Sequence, residues 1–423
     1  SGDVMSQYNM GCVEEVGLIK FDFLGLKTLT LMSDAEKMIR RKPGFEDFDI
    51  EKIPLDDETT YQLLCDGDTE GVFQVESSGM TELVIKLQPR TFKEIIPLVA
   101  LYRPGPLQSG MVDDYVNRKH GAIPVKALHP RIESLTRETL GVIVYQDQVL
   151  QIAQAMAGYS LGEADLLRRA MGKKKADVMQ QQRKRFVEGA VENKYEAQEA
   201  GDVFDLIVEF AGYGFPKAHS TAYAYVTYQT AFLKANHREE YLAAVLTIDS
   251  GNHDRMSRYI AHVRESEIEI LPPDVNQSEC DFAVVDKKIR FGFAGIKSVG
   301  QGAIESILES RNGEEGPFVS FFDFVTRLDT RKVNRRVIEA LVKCGAFDLL
   351  HEERSSVWAT IDTALERAAS EQRDRAVGQE SLFGGLEDSN VIAGPVLVNA
   401  APWSERERLG HEKELLGFYV SGH

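Results

Sequence analysis

Lys20 and Asp22 lie two residues apart in the segment 17–24. Alternation there places Ile19, Phe21 and Phe23 on one face and Lys20, Asp22 and Leu24 on the other, which predicts a strand. An open-face carboxylate of this kind is a hard oxygen donor, and Mg²⁺ often takes only one or two such ligands from protein. The same pair equally fits a solvated strand face with a weak ion pair. Two further acidic pairs, Asp47-Phe48-Asp49 and Asp66-Gly67-Asp68, have the types to chelate a metal. The first sits in an irregular acidic stretch and the second in a glycine turn, so neither is expected to do so. The histidines are scattered and show no H-E-x-x-H spacing.

Residues 168–186 carry eight basic side chains, Arg168, Arg169, Lys173, Lys174, Lys175, Arg183, Lys184 and Arg185, against Asp177 alone. That is a local charge of +7 (8 − 1) in a chain of net −17. Ser160 and Glu163 form a capping box ahead of the apolar stripe Leu166, Leu167, Ala170 and Met171. Gly172 permits a turn between two helical segments, which would aim the lysines and helix-terminal N–H groups together. A triphosphate or a nucleic-acid backbone suits such a cluster, and a solvated basic helix face is the plainer alternative. The run Gly212-Tyr213-Gly214-Phe215-Pro216 reads as a tight turn into a helix. Lys217, His219 and Tyr223 are expected to share one side of that helix, a combination fitted to phosphate plus a base or sugar. A capped helix with core aromatics explains the same residues.

Lys297, Gly300 and Gly302 lie in a helix, small-residue turn, helix pattern over about 295–309. A second, weaker copy opens with Lys332, Asn334, Arg335 and Arg336. Such helix-hairpin-helix units point backbone N–H groups at DNA phosphates without reading sequence. A simple packed helical hairpin is the alternative. Gln379-Glu380-Ser381-Leu382-Phe383 follows a charged helix and precedes two glycines. An exposed Leu-Phe pair there suggests a short peptide that docks in an apolar groove, with Gln379 fixing its orientation; local packing explains it too.

The elements that must position these groups are mostly helical. Helical spacing covers 27–41 and most of about 54–248, broken by Gly/Pro clusters such as Arg103-Pro104-Gly105-Pro106. Leu271-Pro272-Pro273-Asp274 marks a boundary, followed by short strands at 282–285 and 289–291 around the turn Asp286-Lys287-Lys288. The fold class expected is predominantly α with small β elements (α+β). At 423 residues the chain is long enough for about three domains. It contains no apolar run long enough to span a membrane. Ser1 to Met5 do not resemble a signal peptide, and a start other than Met reads as a chain cut from something longer. Four cysteines without a C-x-x-C pair argue against a disulfide framework or cysteine-rich zinc site and suggest a reducing cytoplasm. The acidic total argues against a simple histone-like nucleic-acid binder but does not exclude local basic patches.

In order, these features resemble the catalytic α subunits of bacterial DNA polymerase III, the C-family replicative polymerases. The resemblance is carried by Lys20 to Leu26, Gly71 to Ser77, Tyr102 to Leu107, Tyr145 to Val149, Leu166 to Lys175 and Gly212 to Tyr223, and runs nearly end to end to Leu416-Gly417-Phe418-Tyr419. It implies a palm remnant over 1–32 with a palm-end strand, fingers over 33–275, tandem helix-hairpin-helix motifs and a sliding-clamp motif over 276–387, and a linker over 388–423 leading toward an OB-fold domain. Asp22 then matches a catalytic carboxylate that helps hold two Mg²⁺ ions, and Lys20 the neighbouring palm lysine. Arg168, Arg169, Lys173, Lys174, Lys175, Lys217, His219 and Tyr223 would face the deoxynucleoside triphosphate or the primer-template DNA. Gln379, Leu382 and Phe383 would bind the sliding clamp. Other replicase subunits are implied as partners, in the cytoplasm and not at a membrane. Pro216 and Ala218 stand where the family often has Asn and Ser, and Pro removes an amide donor. The family's D-x-D pair precedes the Lys-x-Asp strand, so neither downstream acidic pair can be it. Alone, the chain is expected to be inactive. Alternatives are a non-catalytic DNA- and clamp-binding module, or a piece of the error-prone relative.

Overall fold

The computed structural model describes residues 4–19, 21, 23–173, 176–211, 214–351, 353–376 and 396–422, with side chains except at 172, 173, 176–178, 210, 211, 253 and 372–376. The described chain is predominantly helical with one three-stranded sheet. Helix α1 (Lys27–Ile39) buries Leu31, Met32, Ala35 and Ile39, a stripe at helical spacing. Helix α2 (Glu58–Asp66) starts where the Asp57 carboxylate accepts from the Thr60 N–H, and α3 (Phe92–Leu101) follows.

Four helices then form a lobe with its own core: α4 (Gln146–Ala157), α5 (Leu161–Lys173), α6 (Ala176–Glu192) and α7 (Ala197–Ala211). Ile152, Met156, Leu167, Phe186, Phe204 and Ile207 fill it. The capping box read from the sequence opens α5, with the Ser160 N–H on Glu163 Oε2 (2.8 Å) and the Glu163 N–H on Ser160 Oγ (3.3 Å).

The rest of the molecule shares a second, larger core that runs from Leu31 to Phe418. Helix α8 (Lys217–Asn236) packs on α2 and α3, and α9 (Arg238–Ile248) packs on α1. Helix α10 (His253–Glu265) leads to β1 (Ile270–Leu271). β2 (Ala283–Val285) and β3 (Lys288–Arg290) form the antiparallel hairpin expected around residue 286, and β1 pairs with β3 in parallel, giving the order β1-β3-β2. Asp286 and Lys287 both take positive φ, as a two-residue hairpin turn requires. Helices α11 (Gln301–Arg311), α12 (Phe321–Arg327), α13 (Arg335–Lys343), α14 (Arg354–Ala376) and α15 (Glu405–Leu416) complete the chain.

The strand expected over 17–24 does not form among the described residues there. A strand needs a neighbour for its N–H and C=O groups, and the described strands pair only with one another. Leu18, Ile19, Phe21, Phe23 and Leu24 are consequently exposed. Phe21 and Phe23 keep the period-two relation, with ring centroids 6.4 Å apart. No helix among the described residues is long and apolar enough to cross a membrane, and all four cysteines are free.

Candidate nucleotide and nucleic-acid interface

The lobe joins the larger body where two chain segments run side by side. Tyr145 and Phe215 form a parallel bridge, with the Gln146 N–H on Phe215 O (3.0 Å) and the Phe215 N–H on Val144 O (3.3 Å). Residues 142–145 are divided between the two cores: Ile143 enters the lobe, while Val142, Val144 and Tyr145 enter the body. Gln148 fixes this strip from within. Its buried Oε1 accepts from the Val144 (2.8 Å) and Tyr145 (3.0 Å) amides, while Nε2 donates to Thr139 Oγ1 (2.8 Å) and Leu135 O (3.1 Å). Every hydrogen-bonding direction of the amide group is thereby used.

On the α8 side of this junction the aromatic rings form a column. His219 and Tyr223, one turn apart, overlap with centroids 4.2 Å apart and planes tilted by 30°. Phe215 extends the column beyond His219 (5.0 Å) and Phe73 extends it beyond Tyr223 (5.4 Å). The Arg103 guanidinium lies 4.5 Å from the Phe215 ring centre. Lys217 is on another side of the helix, because two residues is a rotation of about 200°. Its Nζ sits between both Glu138 oxygens (2.8 and 2.7 Å), and its amide donates to Asp147 Oδ2 (2.9 Å). The sequence expectation that Lys217, His219 and Tyr223 face one way therefore holds for the two aromatic residues and not for the lysine.

Arg168 reaches this junction from α5. Its Nε and Nη2 hold Asp165 Oδ1 (2.9 and 2.8 Å), and its Nη1 lies 3.4 Å from Gln146 Oε1. Arg169 takes the other Asp165 oxygen at 2.8 Å. The bond from Arg168 is the main reason the Asp165 carboxyl is held below its usual range. Arg183 pairs with Asp205 through two 2.9 Å bonds, Lys184 with Glu188 at 3.8 Å, and Arg185 with Glu163 at 3.6 Å. Folding thus brings acids from outside the 168–186 window onto five of its basic side chains. These pairs are largely solvent-exposed and individually weak, so an arriving phosphate can displace them. Lys174 and Lys175, and the side chain of Lys173, lie outside the described residues.

A second site lies between the two hairpins. Lys297, Ser298, Gly300 and Gly302 line one side of a surface hollow, and Lys332, Asn334 and Arg336 the other. Gly300 is the N-cap of α11, and Asn334 caps α13 by accepting from the Val337 N–H. Two helix N-termini and three cations therefore converge, which favours an anion. A Cβ at Gly300 or Gly302 would meet nothing within 4 Å, so the loop surface stays open to a backbone. Arg335 is not in the hollow; it pairs with Glu339 (2.8 Å) and with Asp362 on α14.

Of the acidic pairs, Asp49 caps a short turn and pairs with Lys52, Asp66 accepts from Gln62, and Asp68 holds Lys234 and Arg238. Among the described residues no group of three or more His, Cys, Asp or Glu is arranged to hold a metal ion. Lys20, Asp22, Gln379, Leu382 and Phe383 lie outside the described residues. Phe73, Arg103 and Gln146 join the candidate site although sequence pattern alone assigns them no role in it, and Phe215 joins it from the turn read at 212–216. A signal exists for Arg103, since Pro104 at the first position of a short helix fixes it as an extended cap; the others depend on contacts between distant segments.

Residues 28–194 match the bacterial DNA polymerase III alpha subunit finger domain, and residues 267–357 match the helix-hairpin-helix motif. The chain is 46% identical over 419 residues to the DNA polymerase III subunit alpha of Caulobacter vibrioides, covering 99% of this chain and 36% of that protein. It is 45% identical over 428 residues to the same subunit of Escherichia coli K12, covering 99% and 37%. For the subunit of Thermus aquaticus the identity is 46% over 427 residues, covering 100% and 34%. The chain spans little more than a third of the length of these relatives.

Proposed function

Because the chain belongs to the bacterial DNA polymerase III α-subunit family, we propose that it is the fingers and hairpin portion of a DNA-directed DNA polymerase. In the whole enzyme the primer 3′-hydroxyl would attack the α-phosphate of a deoxynucleoside triphosphate and release pyrophosphate. The observation that carries this reading is the His219–Tyr223 ring pair with Phe215 next to it under the Arg103 guanidinium, at the junction that Arg168 reaches through Gln146. Aromatic rings can accept a base or sugar without regard to sequence, and guanidinium groups near them neutralise phosphate oxygens. In the sequence Lys173, Lys174 and Lys175 follow Arg169 closely and would add to the same charge. The hollow of Lys297, Lys332, Arg336, Gly300, Gly302 and Asn334 would hold the backbone of the primer-template.

As a hard oxygen donor Asp22 suits one ligand position for Mg²⁺, which when bound would offset charge on the attacking and leaving oxygens. Lys20 would stand beside it, facing phosphate. Gln379, Leu382 and Phe383 would engage the sliding clamp, with other replicase subunits elsewhere on the enzyme. Taken by itself, the chain is expected to give no Mg²⁺-dependent primer extension, since one carboxylate does not hold two metal ions in reactive geometry. Extension by the purified chain in a gel assay would refute that. The second reading is a DNA- and clamp-binding module without catalysis, whose DNA contact would be the hairpin hollow.

The direct test is Lys332→Ala with Arg336→Ala in fluorescence anisotropy on duplex DNA. Affinity should fall about tenfold, and the slope of log K against log salt should shrink by about two, one for each phosphate no longer neutralised. An unchanged slope would remove DNA from the hollow.

A further inference from the structure

We propose that Glu412 is a positioning residue for the hairpin hollow: it locks the strap 412–421, and the strap holds both hairpins in register for a DNA backbone. The proposal rests on the reading of that hollow as a DNA site. Glu412 is fully buried, and four donors close on its carboxylate. Oε1 accepts from Arg354 Nη1 (2.9 Å) and Ser421 Oγ (2.7 Å); Oε2 accepts from the amides of Val420 (2.8 Å) and Ser421 (3.0 Å). Burial opposes the charge, yet the bonds from Ser421 and Val420 and the Arg354 charge hold the carboxyl below its usual range.

One arm of this lock reaches the second hairpin. Arg354 also grips Asp348 and donates to the carbonyl of Lys343, the last residue of α13. The other end of α13 carries Asn334 and Arg336 into the hollow. The other arm reaches the first hairpin. The turn that ends α15 presents the Leu415 carbonyl to the amide of Lys297 (3.0 Å), directly ahead of Ser298 in its left-handed conformation. Leu416 and Phe418 anchor the turn in the core, Phe418 against Phe291 with centroids 5.7 Å apart. Ser257 and Arg264 of α10 donate to the carbonyls of Gly417 and Tyr419, tying the strap to the body as well. A residue far from the phosphates thus sets the separation of two N-termini that must meet phosphates at a fixed spacing on one backbone.

Glu412→Gln in the full chain tests this, because the amide keeps the shape but turns an NH₂ toward donors and leaves part of the lock unpaired. With far-UV circular dichroism unchanged, duplex affinity should fall about fivefold and the salt slope should shrink by about one. Amide exchange at Lys297 should quicken. A folded Glu412→Gln with the wild-type slope, while Lys332→Ala with Arg336→Ala still lowers it, overturns the positioning role alone. An unchanged slope in the double variant overturns the DNA reading and this role with it. If Glu412→Gln does not fold, Ser421→Ala removes a single side-chain bond to the carboxylate. A twofold loss of affinity with faster Lys297 exchange then supports the lock, and wild-type behaviour in both overturns it.

Discussion

Asp68→Asn is expected to destabilise the chain by about 3–5 kcal/mol, read as a lower urea midpoint at pH 7. Lys234 lies in the last turns of α8 with no solvent exposure. Its ammonium has three acceptors, Asp68 Oδ1 (2.7 Å), Asp68 O (3.0 Å) and Glu70 O (2.8 Å). Arg238 takes the second Asp68 oxygen. The pair ties α8 and the start of α9 to the 68–70 turn. The Asn amide keeps the shape but removes the negative charge, leaving Lys234 and Arg238 close together without compensation. Breaking one side of a buried pair is far more disruptive than never having built it.

The pH dependence of the variant follows from the lysine. Burial pushes Lys234 down to about 8 even with Asp68 present. Its folded value is below its unfolded one, about 10.4. Between those values the unfolded chain binds more protons, so this group makes stability rise with pH. Without Asp68 the depression deepens, and the deficit of Asp68→Asn should narrow between pH 7 and about 9.5. For Asp68 the slope has the same sign but falls in a lower pH range. Burial works against its charge, but His262, Lys234 and Arg238 around it hold its carboxyl well below the usual aspartate range. Its contribution is complete above about pH 4 and is lost as the pH falls further. A loss under about 1 kcal/mol, or a deficit that grows with pH, would show that the network is not what holds α8 to the turn.

How far the sequence predicts this molecule can be followed through single residues. Local rules succeed where partners are near in the chain. Ser160 and Glu163 cap α5, Asp286-Lys287 makes the hairpin turn, and His219 meets Tyr223 one turn on. The apolar stripe of α5 is narrower than its pattern implies. Leu167 and Met171 are buried, whereas Leu166, about 100° round from Leu167, is 63% exposed. The charge of 168–186 is correct as a count and incomplete as electrostatics, since Asp165, Asp205, Glu163 and Glu188 lie outside the window. Asp205 is 22 residues from Arg183 in sequence, and only the packing of α6 on α7 joins them. The aromatic column has the same character. Phe73 is on a turn, 150 residues (223 − 73) from the tyrosine it touches. The period-two pattern of 17–24 shows a capacity for pairing, and pairing needs a neighbour that no local pattern supplies.

Gly189→Val should separate the two cores functionally. Gly189 lies where α6 crosses the end of α4, and a Cβ there would sit 2.2 Å from the Ala157 carbonyl oxygen. The obstacle is backbone, so a side chain cannot swing away; α6 must lift off α4. Overpacking of this kind costs about 3 kcal/mol. The lobe has its own core and joins the body through the 142–148 strip and the 214–217 turn. The strain should therefore fall on residues 132–207, and hydrogen exchange should rise throughout α4–α7 while α8, α9 and α13 keep their protection. Loosening α5 removes Arg168 from Gln146 and so takes one guanidinium away from the junction, leaving Arg103 on Phe215. Nucleotide binding should fall by an order of magnitude or more. The hairpin hollow lies in the other core, so duplex DNA should keep the part of its salt slope that Lys332 and Arg336 supply. If exchange rises equally in both cores, the lobe and body unfold as one cooperative unit, and the strip 142–145 is a continuous core layer shared by both.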